Sequence, residues 1–525
     1  MCMYRKEYSI GVLSLIVSFL LGSCYEDKGN YDYQELDKVV IDTTGLGIQS
    51  TYVLERYDVL ELNPKVYFNG KLLETEADAP ELSYVWTLYV GANSPNSDYT
   101  VDTLSHTIHL KEAIKRAADT YYVQLTITNS KDHTQQYFRV TCNIEESITA
   151  GWMMLYEPAN DPGTSDIGLV VNPWVKKNII KDREFFDLYK ASNGTHLEGL
   201  PNRVLHTCVA MAEDEVVLVT DKNMVGLNQG TLAKTLDFGD FFYEKPTTTQ
   251  PSYYGACGVA YRGEMIINEG KVYTTYYTSG LSRNSFFGIS YGGDHGELAP
   301  WGSDVHGNKY EVLVYDQTNE CFKCVNKNTV KFASFSAQDP EAAFDVNHVG
   351  AKLLMGDWGR SFYDYFLMKK DQNYYLGIAN FMTSSSGTTN IGQGWFDISS
   401  SPEIAQATSM AAAYLGEYVL YGAGSKVYNL KYRSSPQAEV LWSGSDAETV
   451  TCVRLQKYYY QSLFLAIMPN PNAILHVATW NETTKEGKLY QFQINPANGA
   501  ILGEPRVYTV PGKIKDMAWK KAMER

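Results

Sequence analysis

Between residues 121 and 129 the apolar side chains of Val123, Leu125 and Ile127 alternate with polar neighbours, the period-two signature of a half-buried β-strand. Comparable short runs at 38–42, 52–60, 83–90, 107–110 and 136–145 predict a β-sandwich over residues 37–147. From residue 148 onward a different unit recurs: an apolar strand, a turn rich in Asp, Asn, Gly and Lys, and a second strand carrying Tyr or Val. The copies span 152–171, 216–227, 265–276, 311–325, 365–378, 418–430 and 475–494, with turns centred near 162, 222, 269, 317, 371, 423 and 484. This spacing sits near the upper end of the roughly 40 to 50 residues that mark propeller blades. Residues 148–525 are therefore expected to form a β-propeller of about seven blades, closed by a terminal strand at 514–519; six or eight blades stay open. The fold class is all-β, with 110–118 and 404–414 the two stretches that read as helical.

The first residues follow another logic. Arg5 and Lys6 precede an apolar stretch from Ile10 to Leu21, the arrangement of a secretory signal and too short to cross a bilayer. Leu21-Gly22-Ser23-Cys24 looks like a bacterial lipobox, so 1–23 is expected to be removed and Cys24 to be acylated. Several acyl chains on one residue hold a protein on a membrane far more firmly than one chain, each buried CH₂ contributing about 0.8 kcal/mol. No later stretch offers the apolar length of a membrane-spanning helix.

The run Cys24-Tyr-Glu-Asp-Lys-Gly-Asn-Tyr-Asp-Tyr33 closely resembles the start of the PKD-like lipoproteins that accompany SusC/SusD-type outer-membrane nutrient-uptake systems. The resemblance extends more loosely over the next domain, to Gly151-Trp152. Glu26 and Asp27, directly after the anchor, are similar to the surface-export signal of such lipoproteins, which implies an outer-membrane location facing the cell exterior, with 24–36 as a polar tether. Ser83 to Leu88, with Trp86 at its centre, resembles the central Trp strand of PKD and immunoglobulin-like domains, whose indole fills the space between the sheets. The acidic glycine loop that follows this strand in typical PKD domains is replaced here by Gly91-Ala-Asn-Ser-Pro-Asn96, which leaves a spacer role.

Charge and composition narrow the partners. A net charge of −15 without any Lys/Arg-rich run argues against nucleic acid, whose affinity comes from basic clusters releasing counterions. The 40 tyrosines, against 20 phenylalanines, favour half-buried pleated surfaces. Cys321-Phe-Lys-Cys324 is a C-x-x-C, but it falls in a β-like run where positions i and i+3 face opposite ways. No second pair completes a zinc set, so it reads as two half-buried thiols. H-E-x-x-H, G-x-S-x-G and Walker patterns do not occur in the chain, and no metal or cofactor is assigned.

Two groups of residues could still meet a ligand. The loop Tyr291-Gly-Gly-Asp294-His295-Gly-Glu297, continuing to Trp301, Asp304 and His306, offers imidazoles and carboxylates; Asp345, His348, Asp357, Trp358 and Tyr363 form a second set, in which Asp357-Trp358 reads as blade packing. Aromatics set among Gly, Ser and Thr are the other theme: Tyr253-Tyr254, Tyr276-Tyr277, Trp301, Trp395-Phe396 and Tyr458 to Tyr460. Tyr253, Tyr254, His295, Trp301 and His306 are the selected ligand-binding candidates, expected on loops that converge on one propeller face. The resulting expectation is a surface-anchored, non-catalytic lipoprotein that captures a glycan or peptide beside SusC/SusD-like partners. A propeller enzyme acting on polysaccharide, and a structural or adhesion subunit, are the alternatives.

Overall fold

The computed structural model describes residues 37–521, apart from short internal stretches that include 92–99, 208–214, 258–262, 276–285, 383–388 and 458–467. The signal segment, Cys24 and the 24–36 tether lie outside the described residues, as do Tyr276-Tyr277 and Tyr458 to Tyr460. The chain divides into two compact units at the 146/147 boundary.

The first unit is a β-sandwich. Its five-stranded sheet runs in the order Thr51–Glu55, Gln135–Glu145, Asp119–Asn129, Leu82–Val90 and Asp102–Ser105. Gln135–Glu145 pairs parallel to Thr51–Glu55 and antiparallel to Asp119–Asn129. Asp119–Asn129 alternates strictly between buried and half-buried positions, as a strand with one face on the core must. Trp86 fills that core. Its side chain is fully buried, its Nε1 donates to the Thr107 carbonyl at 3.0 Å, and its ring meets Phe138 edge-on at 6.2 Å. The described residues of 110–118 do not form a helix: Leu110–Ala113 is a strand paired with Val59–Leu62. Leu110 and Ile114 lie in the core, and burial of these apolar anchors overrides the helical propensity of the intervening Lys and Glu.

The second unit is a seven-bladed propeller, each blade an antiparallel sheet of its own. The innermost strands of blades 2 to 7 are Pro201–Thr207, Pro251–Cys257, Leu298–Gly302, Lys352–Trp358, Ala407–Ala412 and Glu448–Leu455. Blade 1 is composite. Gly512–Lys520, from the carboxy-terminal end, pairs antiparallel with Gly151–Pro158 and supplies the innermost strand. Each hairpin seen in the sequence is the pair of strands next to the innermost one, as in Glu215–Thr220 with Met224–Asn228; blade 3 has three strands among the described residues and the other blades at least four. Seven apolar clusters fill the seven gaps between neighbouring blades. Blade 7 meets blade 1 where Cys452, Ala478 and Leu489 pack on Trp152, Met154 and Ile514.

Residues 404–414 are likewise not helical. Ile404–Gln406 is one 3-10 turn, and Ala407–Ala412 continues as the inner strand of blade 6. Ala411 and Ala412 are buried in the apolar clusters shared with blades 7 and 5, and this tertiary burial overrides the helical propensity of alanine. One short α-helix, Leu188–Asn193, is present among the described residues and is capped by Gly194 in the left-handed region. No helix among the described residues is long and apolar enough to cross a membrane.

Trp86→Ala removes the largest side chain of the sandwich core and its hydrogen bond. The expected cost is about 3–5 kcal/mol. Pulse proteolysis of the full chain in urea, read by mass spectrometry, should show cleavage within 37–146 at lower urea while the propeller fragments keep their wild-type midpoint.

Candidate functional site

The inner strands surround a central channel of about 500 Å³. Every one of the seven is irregular at its pairing with the next strand out: the register shifts at Pro201/Arg203, Pro251/Tyr253, Leu298/Gly302, Leu353/Met355, Ala407/Ser409, Val450/Cys452 and, in blade 1, opposite Leu155/Tyr156. A bulge inserts a residue with no partner across the ladder and re-aims its side chain. The inserted residues, among them Asn202, Ser252, Leu354, Thr408, Thr451 and Lys515, all line the channel. The wall is therefore a repeated ring of mostly short, mostly polar groups.

Charged side chains sit on the same wall and are paired across blade boundaries. Arg203 of blade 2 donates to Asp304 at 2.9 Å and lies 4.4 Å over the Tyr253 ring of blade 3. The Tyr253 hydroxyl donates to the other Asp304 oxygen at 2.9 Å and lies 2.8 Å from the Gly302 carbonyl. Gly255 makes room for this arrangement, since a Cβ there would stand 2.5 Å from both Asp304 Oδ1 and the Tyr253 hydroxyl. Arg454 of blade 7 donates to Asp516 of the closing strand at 2.6 Å, and the second Asp516 oxygen accepts from the Val204 backbone N–H of blade 2 at 3.0 Å. Lys457 pairs with Asp357 of blade 5, donates to the Ala412 carbonyl at 3.0 Å and lies 4.6 Å over the Trp358 ring.

Burial sets the proton affinities. It pushes Asp304 up, against the pull of Arg203, and pulls Lys457 down, against the pull of Asp357. Asp364 is raised well above the ordinary carboxylate range by burial, with Asp304 and Asp357 adding to the effect; Ser303 donates to it at 2.7 Å and works the other way. Trp358, over whose ring Lys457 lies, stacks on Phe362 and meets Tyr414 edge-on. Ser361 and Phe362 both have left-handed backbones, with φ of 61° and 57°. Two successive non-glycine residues held there store strain of order 1–3 kcal/mol each, a feature that clusters at ligand clamps.

The residues selected from the sequence fall in several places. Tyr253 and Tyr254 are on the inner strand of blade 3, not on a loop, and successive strand residues face opposite ways. Tyr253 packs towards blade 4 and reaches the channel, whereas Tyr254 is fully buried towards blade 2. Trp301 is also on a strand; it lines the channel while its ring packs edge-on against Phe322 and Phe366. His295 is half-buried, bonded to the Gly296 carbonyl at 2.8 Å and set against Phe332. His306 is buried beside the Gly307 carbonyl, and burial pulls it down to about 4. Neither histidine is part of the channel wall. The second set separates as well. Asp345 and the exposed His348 pair with each other at 2.9 Å, while Asp357 and Trp358 join the channel. Cys321 and Cys324 are free, buried thiols on one strand. No sequence pattern marks Arg203, Lys457, Asp364 or the bulge residues Asn202, Ser252, Leu354, Thr408, Thr451 and Lys515.

Residues 24–201 match the model of the PKD-like family, a stretch that covers the sandwich and blade 1 apart from its carboxy-terminal strand. No curated protein matches the chain. Among solved structures, a quinoprotein alcohol dehydrogenase-like protein from Bacteroides thetaiotaomicron is 12% identical, covers 90% of this chain and 98% of its own, and has a TM-score of 0.40. The β-propeller domain of Cps50 (Swd1) from Myceliophthora thermophila is 10% identical over 59% of this chain and 88% of its own, with a TM-score of 0.30.

Asp364 yields a pH test. Its carboxyl has a higher proton affinity folded than unfolded, so its contribution to stability is full below the ordinary aspartate pKa of about 3.9 and is lost as pH rises through the raised native value. Asp364→Asn keeps an oxygen for Ser303 and removes the titration. Thermal melts should show the variant gaining on the wild type as pH increases; parallel curves would mean that Asp364 is not buried as described.

Proposed function

We infer that this chain is an outer-membrane lipoprotein, held at the cell surface through Cys24, whose propeller binds a glycan or peptide as a non-catalytic component of a SusC/SusD-type uptake system. The ring of bulged inner strands carries the ligand-binding part of this reading. Its 500 Å³ channel falls within the roughly 300–1,000 Å³ of small-ligand sites, which combine apolar walls with a few convergent polar groups. Hydroxyl and amide groups from Asn202, Ser252, Thr408 and Thr451 suit sugar hydroxyls or peptide amides. The Trp358–Phe362–Tyr414 cluster offers an apolar face beside the Lys457 cation. Cross-blade ion pairs fix the wall before any ligand arrives, which lowers the ordering cost of binding.

A hydrolase or lyase acting on polysaccharide is the second reading, favoured by the raised Asp364 carboxyl. A carboxyl kept protonated in a channel is a candidate general acid.

Titration calorimetry of residues 24–525 with oligosaccharides and short peptides separates the two. The binding reading expects saturable uptake without product, weakened at least tenfold by Trp358→Ala. Product formation abolished by Asp364→Asn would establish the enzyme instead. In cells, Cys24→Ser should move the protein out of the membrane fraction, and externally added protease should cut the wild type on intact cells.

A further inference from the structure

Away from the channel, blade 1 carries a histidine whose environment is incomplete. Asp166 is on the strand Thr164–Val171, Asp187 immediately precedes the helix Leu188–Asn193, and His196 follows that helix. The His196 side chain is 2% exposed. Its Nδ1 lies 2.7 Å from Asp161 Oδ2, and a carboxylate can only accept, so Nδ1 carries the hydrogen. In the neutral ring Nε2 then presents a lone pair. That atom has no hydrogen-bond partner, and it faces Asp166 Oδ2 at 3.6 Å and Asp187 Oδ1 at 3.8 Å. A lone pair aimed at two carboxylates is repelled by both unless something positive lies between them.

The carboxylates are themselves held in place. Asp166 is fully buried and accepts backbone N–H groups from Ile167, Tyr189 and Lys190. The Tyr156 hydroxyl donates to Asp187 Oδ1 at 2.8 Å. The three facing atoms lie within 4.8 Å of one another. Zinc bonds of about 2.1 Å in tetrahedral geometry place ligand atoms about 3.4 Å apart, so contraction by a few tenths of an ångström brings the His196 contacts to that spacing. The Asp161–His196 bond is the carboxylate–histidine arrangement that fixes the tautomer of metal-ligating imidazoles. Asp187, with a side chain 41% exposed, leaves a route to solvent.

We propose that Asp166, Asp187 and His196 form a binding site for one divalent transition-metal ion such as Zn²⁺ or Mn²⁺, with water completing the coordination and Asp161 orienting the imidazole. One imidazole with two carboxylates suits these ions better than softer, thiolate-seeking ones. The ion ties the segment after Val171 back onto blade 1, the blade that joins the two ends of the propeller.

The test uses untagged mature chain, stripped with EDTA and titrated with ZnCl₂ and MnCl₂ by calorimetry, with bound metal counted by plasma mass spectrometry. One equivalent should bind, raise the melting temperature and disappear in His196→Ala and Asp187→Asn. Asp161→Asn, which leaves all three ligands, should weaken binding about 10–100-fold, and circular dichroism on each variant checks the fold. Absence of saturable binding to folded wild type, with His196 titrating as an imidazolium by NMR, would overturn the proposal and assign the positive charge to a proton. Binding unchanged in both ligand variants would overturn it by placing the metal elsewhere.

Discussion

The propeller depends on one pairing, that of Gly512–Lys520 with Gly151–Pro158. A radial array of sheets has two free ends, and each exposes unpaired backbone and an uncovered apolar face. Bringing the last strand to the first sheet removes both at once. The cost is the entropy of closing a loop of more than three hundred residues, which grows only logarithmically with length. What offsets it is visible in the cluster between blades 7 and 1, where Trp152, Met154, Ile514 and Met517 are all buried. Asp516 adds direction: from the closing strand it ties Arg454 of blade 7 and the backbone of blade 2 into one bonded set.

The channel inherits its shape from that closure. Seven inner strands face one another only if the ring is complete, and then their bulges fall on a common wall. Charges placed there are partly removed from water, which is costly unless each has a partner. The partners come from different blades, as Arg203 with Asp304 and Lys457 with Asp357 show. The same groups that line the cavity thus hold its walls in register.

This division explains what could be read from the chain. Many middle strands are buried on both sides, as in Val216 to Thr220, Tyr418 to Ala423 and Ile474 to Trp480, and announce themselves as apolar runs flanking turn residues. The closing strand keeps enough alternation between 514 and 519 to be recognised, and Trp86 marks the sandwich. Inner strands such as Pro201–Thr207 mix polar and apolar residues, and a bulge interrupts their period of two, so Arg203 and Asn202 gave no signal. Tyr253 and Trp301 read as loop aromatics in the sequence, yet they are strand residues whose rings serve packing as well as the channel wall. Asp161, Asp166, Asp187 and His196 follow no regular spacing; only folding gathers them. A short helix capped by Gly194 and a turn at Asp187 in the left-handed region are tertiary facts with little local trace.

Native-state hydrogen exchange on the full chain, resolved by mass spectrometry, addresses the closure most directly. If the terminal strand is an integral part of blade 1, amides of 512–520 and of 151–158 should exchange with the same free energy, at the level of the global opening of the propeller. Exchange of 512–520 by local fraying, orders of magnitude faster than its partner strand and the inner strands of blades 2 and 7, would show that the ring stands without it and contradict the account.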